Sequence, residues 1–220
     1  MLRLSRSSVL ATSLALLLAS PALAFNSPLS DESIREAYFL GQRRDESMAL
    51  FLARYKQVLR PPDTGPYISS IEFLTPLASL VLLSSQRVNY SAQQAEQEHR
   101  RDDELVVITV EIQLTQSYSA ILSSAPTSAR SGSPIGYTLR SPGFWRDFDV
   151  QVLSDEENLE PTLSTGRPTY LCNDTGCVLT GATLRLELPA RLFTSDSATV
   201  QVTPPAGPEV AVNFDLVVLR

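Results

Sequence analysis

The chain has 220 residues with 18 basic and 24 acidic side chains, one histidine, two cysteines and 15 prolines. So acidic a balance supplies no broad positive face for displacing counterions, which disfavours nucleic acid and anionic membranes as partners. With a single histidine, a zinc site would have to draw its other ligands from carboxylates and a Ser-His-Asp triad would have to use His99; no catalytic residue, metal or cofactor is assigned.

Residues 1–24 read as an export signal. Arg3 and Arg6 give a basic start, Val9 to Ala19 is apolar, and Ala22-Leu23-Ala24 is a small-x-small cleavage site. The apolar run is shorter than the roughly 20 residues that a membrane span takes. No other uninterrupted stretch approaches that length, so no transmembrane segment is expected. The mature chain then starts at Phe25 and is exported, periplasmic or extracellular. No cysteine follows the run, which argues against a lipid anchor, and Arg3 and Arg6 are not a twin-arginine pair. Cleavage removes two basic residues and no acidic ones. The mature charge is 16 minus 24, or -8, over 220 minus 24, or 196, residues. That length suffices for one good core or two small domains.

Ser30-Asp31-Glu32 reads as a helix start, with Ile34, Ala37, Tyr38 and Gly41 on one face and Gly41 as a natural stop. A second helix starts near Asp45. Its apolar positions Met48, Phe51, Leu52, Tyr55, Val58 and Leu59 keep helical spacing until Pro61-Pro62. Tyr67 to Leu74 suits a strand, with Ile71 and Phe73 alternating against Glu72. Thr75-Pro76 then looks like an N-cap and first helical residue, although Leu77, Leu80 and Val81 would also suit a strand. Ser91 opens a helix polar almost all round, with Ala92, Ala95 and His99 as its only stripe.

From Leu105 the period changes to two. LVVITVEIQL places Val106, Ile108, Val110, Ile112 and Leu114 on one face of a half-buried strand. After a Ser/Ala/Gly/Pro-rich loop at residues 123–134, strands are expected at Tyr137–Leu139, Phe148–Leu153, Thr183–Leu188, Ala198–Thr203 and Val210–Leu219. Another pair flanks the loop Asn173-Asp174-Thr175-Gly176. Cys172 and Cys177 stand opposed at its two mouths, within disulfide reach, so a bridged β-hairpin is expected. The expected fold class is α+β, an antiparallel immunoglobulin-like β-sandwich over residues 104–220 after a helix-rich region over residues 25–103.

Residues 181–219, GATLRLELPARLFTSDSATVQVTPPAGPEVAVNFDLVVL, resemble the last strands of bacterial immunoglobulin-like domains of the IPT/TIG kind. The likeness lies in an apolar strand, Pro-Ala, a short loop, TVxVxxP, a Gly turn and a final strand containing Phe. It covers that stretch alone. It implies a binding or structural module more than an enzyme, and it carries over no functional residue.

Among sharper candidates, Asp-Thr-Gly occurs at Asp63-Thr64-Gly65 and Asp174-Thr175-Gly176, the triplet of aspartic proteases, yet both surroundings are those of turns. His99 reads as a solvated helix residue. Asp102-Asp103-Glu104 and Asp155-Glu156-Glu157 are acidic runs beside strand ends without a recognisable calcium-loop spacing. The best contact surface is Phe144, Trp145 and Arg146, where the only Trp stands beside Phe and Arg after a Pro-Gly turn. The expected function is a non-catalytic protein-interaction or structural module of the envelope or extracellular space, its partner another such protein. The alternatives are a polysaccharide-binding accessory domain and a carboxylate-based hydrolase. The hydrolase would require two acidic side chains converging in one cleft.

Overall fold

The computed structural model describes residues 25–63, 65–115, 141–174 and 176–219. The export signal, the expected strand Tyr137–Leu139 and the loop at 123–134 lie outside the described residues.

Helix α1 (Asp31–Arg43) begins where the Ser30 hydroxyl accepts the Ser33 N–H at 3.1 Å, with Asp31 and Glu32 at the positive end of the dipole. It buries Ile34, Ala37 and Gly41, as their spacing requires, but it does not stop at Gly41. That glycine is a contact position. A Cβ there would lie 2.3 Å from the carbonyl oxygen of Val81, so α1 meets helix α3 (Pro76–Gln86) at a distance that only a bare Cα permits. Helix α2 (Glu46–Ala53) is capped by Asp45, which accepts the Ser47 and Met48 N–H groups.

The second helix is shorter than its periodicity suggests. After Ala53 the chain turns and becomes edge strand β1 (Lys56–Val58), paired with β2 (Pro66–Leu74). Tyr55 is buried at the turn. Its carbonyl accepts the Phe73 N–H at 2.8 Å and its hydroxyl donates to the Leu219 carbonyl at 3.3 Å. Bonds to the sheet and to the far end of the chain thus override a helical preference worth a few tenths of a kcal/mol per residue.

Thr75 and Pro76 open α3 as a helix, with the Thr75 hydroxyl accepting the Ala78 N–H. Helix α4 (Ala92–His99) starts with a capping box of Ser91 and Gln94, and Ala95 is its buried residue. Residues of α1, α3 and α4, with Leu29 and Tyr90, form a small core of their own. Tyr38 donates to the Tyr90 carbonyl at 2.9 Å and the Gln42 amide to the Ser84 carbonyl at 2.5 Å, fixing the helices to one another.

Strand β3 (Leu105–Leu114) alternates as the sequence reads, with Val106, Ile108, Val110 and Ile112 buried. The remaining strands are β4 (Asp149–Ser154), β5 (Glu157–Asn158), β6 (Leu163–Asn173), β7 (Gly176–Pro189), β8 (Ser197–Thr203) and β9 (Val210–Asp215). They form two antiparallel sheets, one ordered β1-β2-β3-β7-β6 and the other β5-β4-β8-β9. With four helices and these sheets among the described residues, the fold is α+β. The expected strand Thr183–Leu188 is the middle of the 14-residue β7, and the last strand ends at Asp215 rather than Leu219. Asp155 and Glu156 both have positive φ, 49° and 65°, and form the tight two-residue turn into β5.

Apolar side chains of both sheets meet in one core. Phe73 packs on Phe193 and Phe214 at 5.4 and 5.1 Å between ring centres, and Phe25 reaches Phe193 at 6.1 Å. Because β1 and β2 pair into the same sheet as β3 and β7, the change of period near Glu104 marks no border in that sheet. The regions 25–103 and 104–220 share it. At the tip of the β6–β7 hairpin Cys172 and Cys177 are opposed, 4.0 Å apart at Cα, and bridged. One further pair, Asn173 with Gly176, shortens the connection to two residues instead of the expected four.

Candidate functional site: a cleft between the helices and the sheet

Helix α3 is apolar on more than one side, which calls for cover on more than one side. Leu80 and Val81 are buried in the helical core. Leu82 and Leu83, the next two residues, border a cleft of about 440 Å³ between α3, α4 and the outward side of the five-stranded sheet. Leu74 and Val107, both buried, come from the sheet, and Leu105 from the start of β3. Leu82, Leu83 and Leu105 are half-buried and leave apolar surface facing the cleft. Ser79 also borders it, and its buried hydroxyl oxygen has no hydrogen-bond partner.

A polar network closes one end. Arg87 pairs with Glu98 at 2.5 Å and its guanidinium lies 4.9 Å from the centre of the Tyr90 ring. The Tyr90 hydroxyl donates to Glu98 at 3.1 Å. Burial, then the hydrogen bond and charge of Glu98, push the Tyr90 phenol up to about 12. It therefore stays a neutral donor at any physiological pH.

The other end is built on His99 and Glu104. Glu104 Oε1 lies 2.5 Å from His99 Nε2 and accepts the Leu29 N–H at 2.6 Å, while Oε2 accepts the Ser27 hydroxyl. Only 17% of the His99 side chain and 11% of that of Glu104 is exposed. His99 is therefore not the solvated residue that its polar helix suggests. Burial raises the Glu104 carboxyl, but bonds from His99, Ser27 and Leu29 outweigh it and leave the group below its ordinary value. A histidine on a carboxylate is the orienting half of a catalytic triad. The other half would be a nucleophile on the imidazole. Ser27 instead bonds to the carboxylate, and among the described residues no hydroxyl is bonded to His99. The pair fastens residues 27–29 to the start of β3.

Two carboxylates elsewhere are pushed in opposite directions. Glu72 on β2 is raised, chiefly by burial. Glu111 on β3 is raised by burial as well, but bonds from Ser70 at 2.7 Å and Lys56 at 3.2 Å outweigh that and leave it lowered. Opposed shifts are what an acid and base pair shows. These side chains, however, stand on the open outward side of the sheet with Lys56 bonded to Glu111, an arrangement of a surface ion-pair network. Of the Asp-Thr-Gly triplets, Asp63 and Gly65 stand at bends leading into β2, and Asp174 and Gly176 at the hairpin tip. Among the described residues no group of three or more His, Cys, Asp or Glu is placed to hold a metal ion.

The residues of the expected contact surface divide three ways. Phe144 is buried in the main core, Trp145 is half-buried, and Arg146 is exposed. A Cβ on Gly166 would fall 2.4 Å from the Trp145 ring, so the indole lies against the bare backbone of β6. The Arg146 guanidinium sits 5.2 Å from the centre of that ring. Beside it a second cleft, about 390 Å³, presents Asp149, Gln151, Asn158 and Glu160. Sequence reasoning missed the cleft at α3. Its lining falls almost wholly between Leu74 and Val107, with Arg185 added from β7, but the cleft exists only because α3 and α4 pack against the sheet, and nothing in the spacing of Arg87 and Glu98 announces their pairing. The one available signal was a helix too apolar for one buried face. No family model and no curated protein matches the chain.

Proposed function

We propose that this chain is an exported, non-catalytic interaction module that holds a segment of another envelope or extracellular protein in the cleft between α3, α4 and the sheet. The observation that carries the reading is half-buried Leu82, Leu83 and Leu105 lining a cleft whose His99 and Glu104 are already engaged with each other and with residues 27–29. Apolar walls with a few convergent polar groups are the usual make-up of a binding site. The hairpin disulfide and the basic-apolar-small pattern of residues 1–24 support export. The resemblance of residues 181–219 to IPT/TIG-like domains supports an immunoglobulin-like sandwich serving as a binding module. Two antiparallel sheets with a shared core are compatible with it.

Cross-linking of the mature protein in the envelope of the producing cell, followed by mass spectrometry, tests this. One dominant partner with links mapping to α3 and α4 is expected, together with an N-terminus at Phe25. Recovery of the protein alone, or in the cytoplasm with residues 1–24 intact, would refute it.

Glycan binding beside Trp145 is the second reading, favoured by the carboxylate and amide side chains next to an indole. Titration with cell-wall and capsular polysaccharides would then shift the emission of the only Trp. An unchanged spectrum across the panel removes it.

A further inference from the structure

The charges around the α3–α4 cleft narrow what can sit in it, and this step rests on reading the cleft as a docking site. Arg87 is paired with Glu98 and Arg185 with Glu187, at 2.5 and 2.9 Å, and Glu104 faces His99. Two charged side chains that line the cleft remain, Asp102 and Asp103, both exposed and neither in an ion pair among the described residues. They stand on the turn that leads from α4 into β3. The nearest cations in sequence do not offset them: Arg100 bonds to Asp31 at 2.8 Å, and neither Arg100 nor Arg101 lines this cleft. The same cleft is lined by the half-buried Leu83 and Leu105.

An occupant that complements this surface presents an apolar side chain to the leucines and a cation to the turn. We propose that the cleft recognises a short segment of a partner protein in which an aliphatic or aromatic residue stands next to lysine or arginine. The apolar side chain seats over Leu83 and Leu105, and the cation meets Asp102 and Asp103. The chain is acidic overall, so basic segments are also favoured at long range and acidic ones repelled. The cleft volume is of the order that takes a few side chains rather than a folded domain. An anionic lipid or a nucleic-acid strand would bring negative charge against the same two carboxylates and is refused for that reason.

The test uses a random 12-residue peptide library displayed on phage, selected on residues 25–220 with the disulfide intact. Three variants are run in parallel: Leu83→Arg, Leu105→Ser in case the first does not fold, and the doubly neutralised Asp102→Asn/Asp103→Asn. The expected result is enrichment of peptides with an apolar residue adjacent to Lys or Arg. Their binding is abolished by the cleft substitution and weakened about four- to twenty-five-fold by the double neutralisation, and it is weaker at high salt. Enriched peptides that lack a basic preference, yet are lost with the cleft substitution, would overturn the charge complementarity and leave the docking site standing. Peptides that bind the cleft variants as well as the wild type, or no enrichment at all, would overturn both.

Discussion

Replacing Glu104 tests how the N-terminal segment is held against the cleft, and two substitutions separate its charge from its shape. Glu104 accepts the Leu29 N–H and faces His99 through one oxygen, and accepts the Ser27 hydroxyl through the other. Glu104→Gln keeps an oxygen for Leu29 and places an amide where Ser27 can accept, so it loses only the ionic character of the bonds. Hydrogen bonds to charged groups contribute about 1.5–3 kcal/mol against about 0.5–1.5 for neutral ones, so this variant should lose roughly 1–1.5 kcal/mol at neutral pH. Glu104→Ala leaves the Leu29 N–H without its acceptor and His99 without its partner. A loss of about 2–3 kcal/mol follows, which for a chain of this size lowers the unfolding midpoint by about 2–4 °C per kcal/mol.

The pH dependence has a definite sign. The folded-state carboxyl is held below its ordinary value of 4.5. Its contribution is therefore fully present above that value and disappears as pH falls through the lower, folded-state value. Urea titrations of wild type and Glu104→Gln at pH 7 and from pH 5 down to pH 3 should show a gap that closes as the pH falls over the acid range. A Gln variant as stable as wild type at pH 7, or a gap that widens between pH 5 and pH 3, would refute the role given to this carboxylate.

Other substitutions probe the remaining contacts. Gly41→Ala, which in an exposed helix interior would stabilise by about 1 kcal/mol, should here destabilise by about 1–2 kcal/mol. Its Cβ would sit 2.3 Å from the Val81 carbonyl oxygen, and a denaturation midpoint at or above wild type would count against the packing. Gly166→Ala should displace the Trp145 ring, whose atoms lie within 2.6 Å of the added methyl; a red shift of Trp emission is expected, with a stability loss of about 1–3 kcal/mol. Reduction of Cys172–Cys177 should add two alkylatable thiols by intact mass and cost at most about 2 kcal/mol, because the bridge closes a very short loop. A full loss of folding on reduction would mean that the hairpin tip matters far more than its exposure suggests.

Local signals in the chain were strong where they were self-sufficient. The caps at Ser30, Asp45, Thr75 and Ser91 start helices because each satisfies an N–H that would otherwise be bare. The alternation of β3 places its apolar face inward because a strand has no other way to bury it. The cysteine pair is opposed because its spacing allows little else. What escaped was decided by distant partners. Residues 55–58 have a helical pattern but are taken by β2 and Leu219. Gly41 looks like a stop but is a contact with α3. His99 has polar neighbours in sequence and still becomes half-buried, because Glu104 and residues 27–29 close over it. Phe144 lies beside Trp145 in a turn and is drawn into the main core, which Trp145 also packs against while half-buried, so that of the three only Arg146 is exposed. The cleft differs from these cases: its lining comes mostly from consecutive elements between Leu74 and Val107, and it was missed because the way α3 and α4 pack on the sheet leaves no mark in the sequence.

The most direct measurement is site-specific photo-cross-linking in the producing cell, with a benzoylphenylalanine at Leu83 in the cleft and, in a separate strain, at Phe39, which is 60% exposed on α1. The account predicts one dominant adduct from position 83 in the envelope fraction, absent from position 39 and lost when Leu105→Ser is added. No adduct from position 83, or the same adducts from both positions, would contradict it.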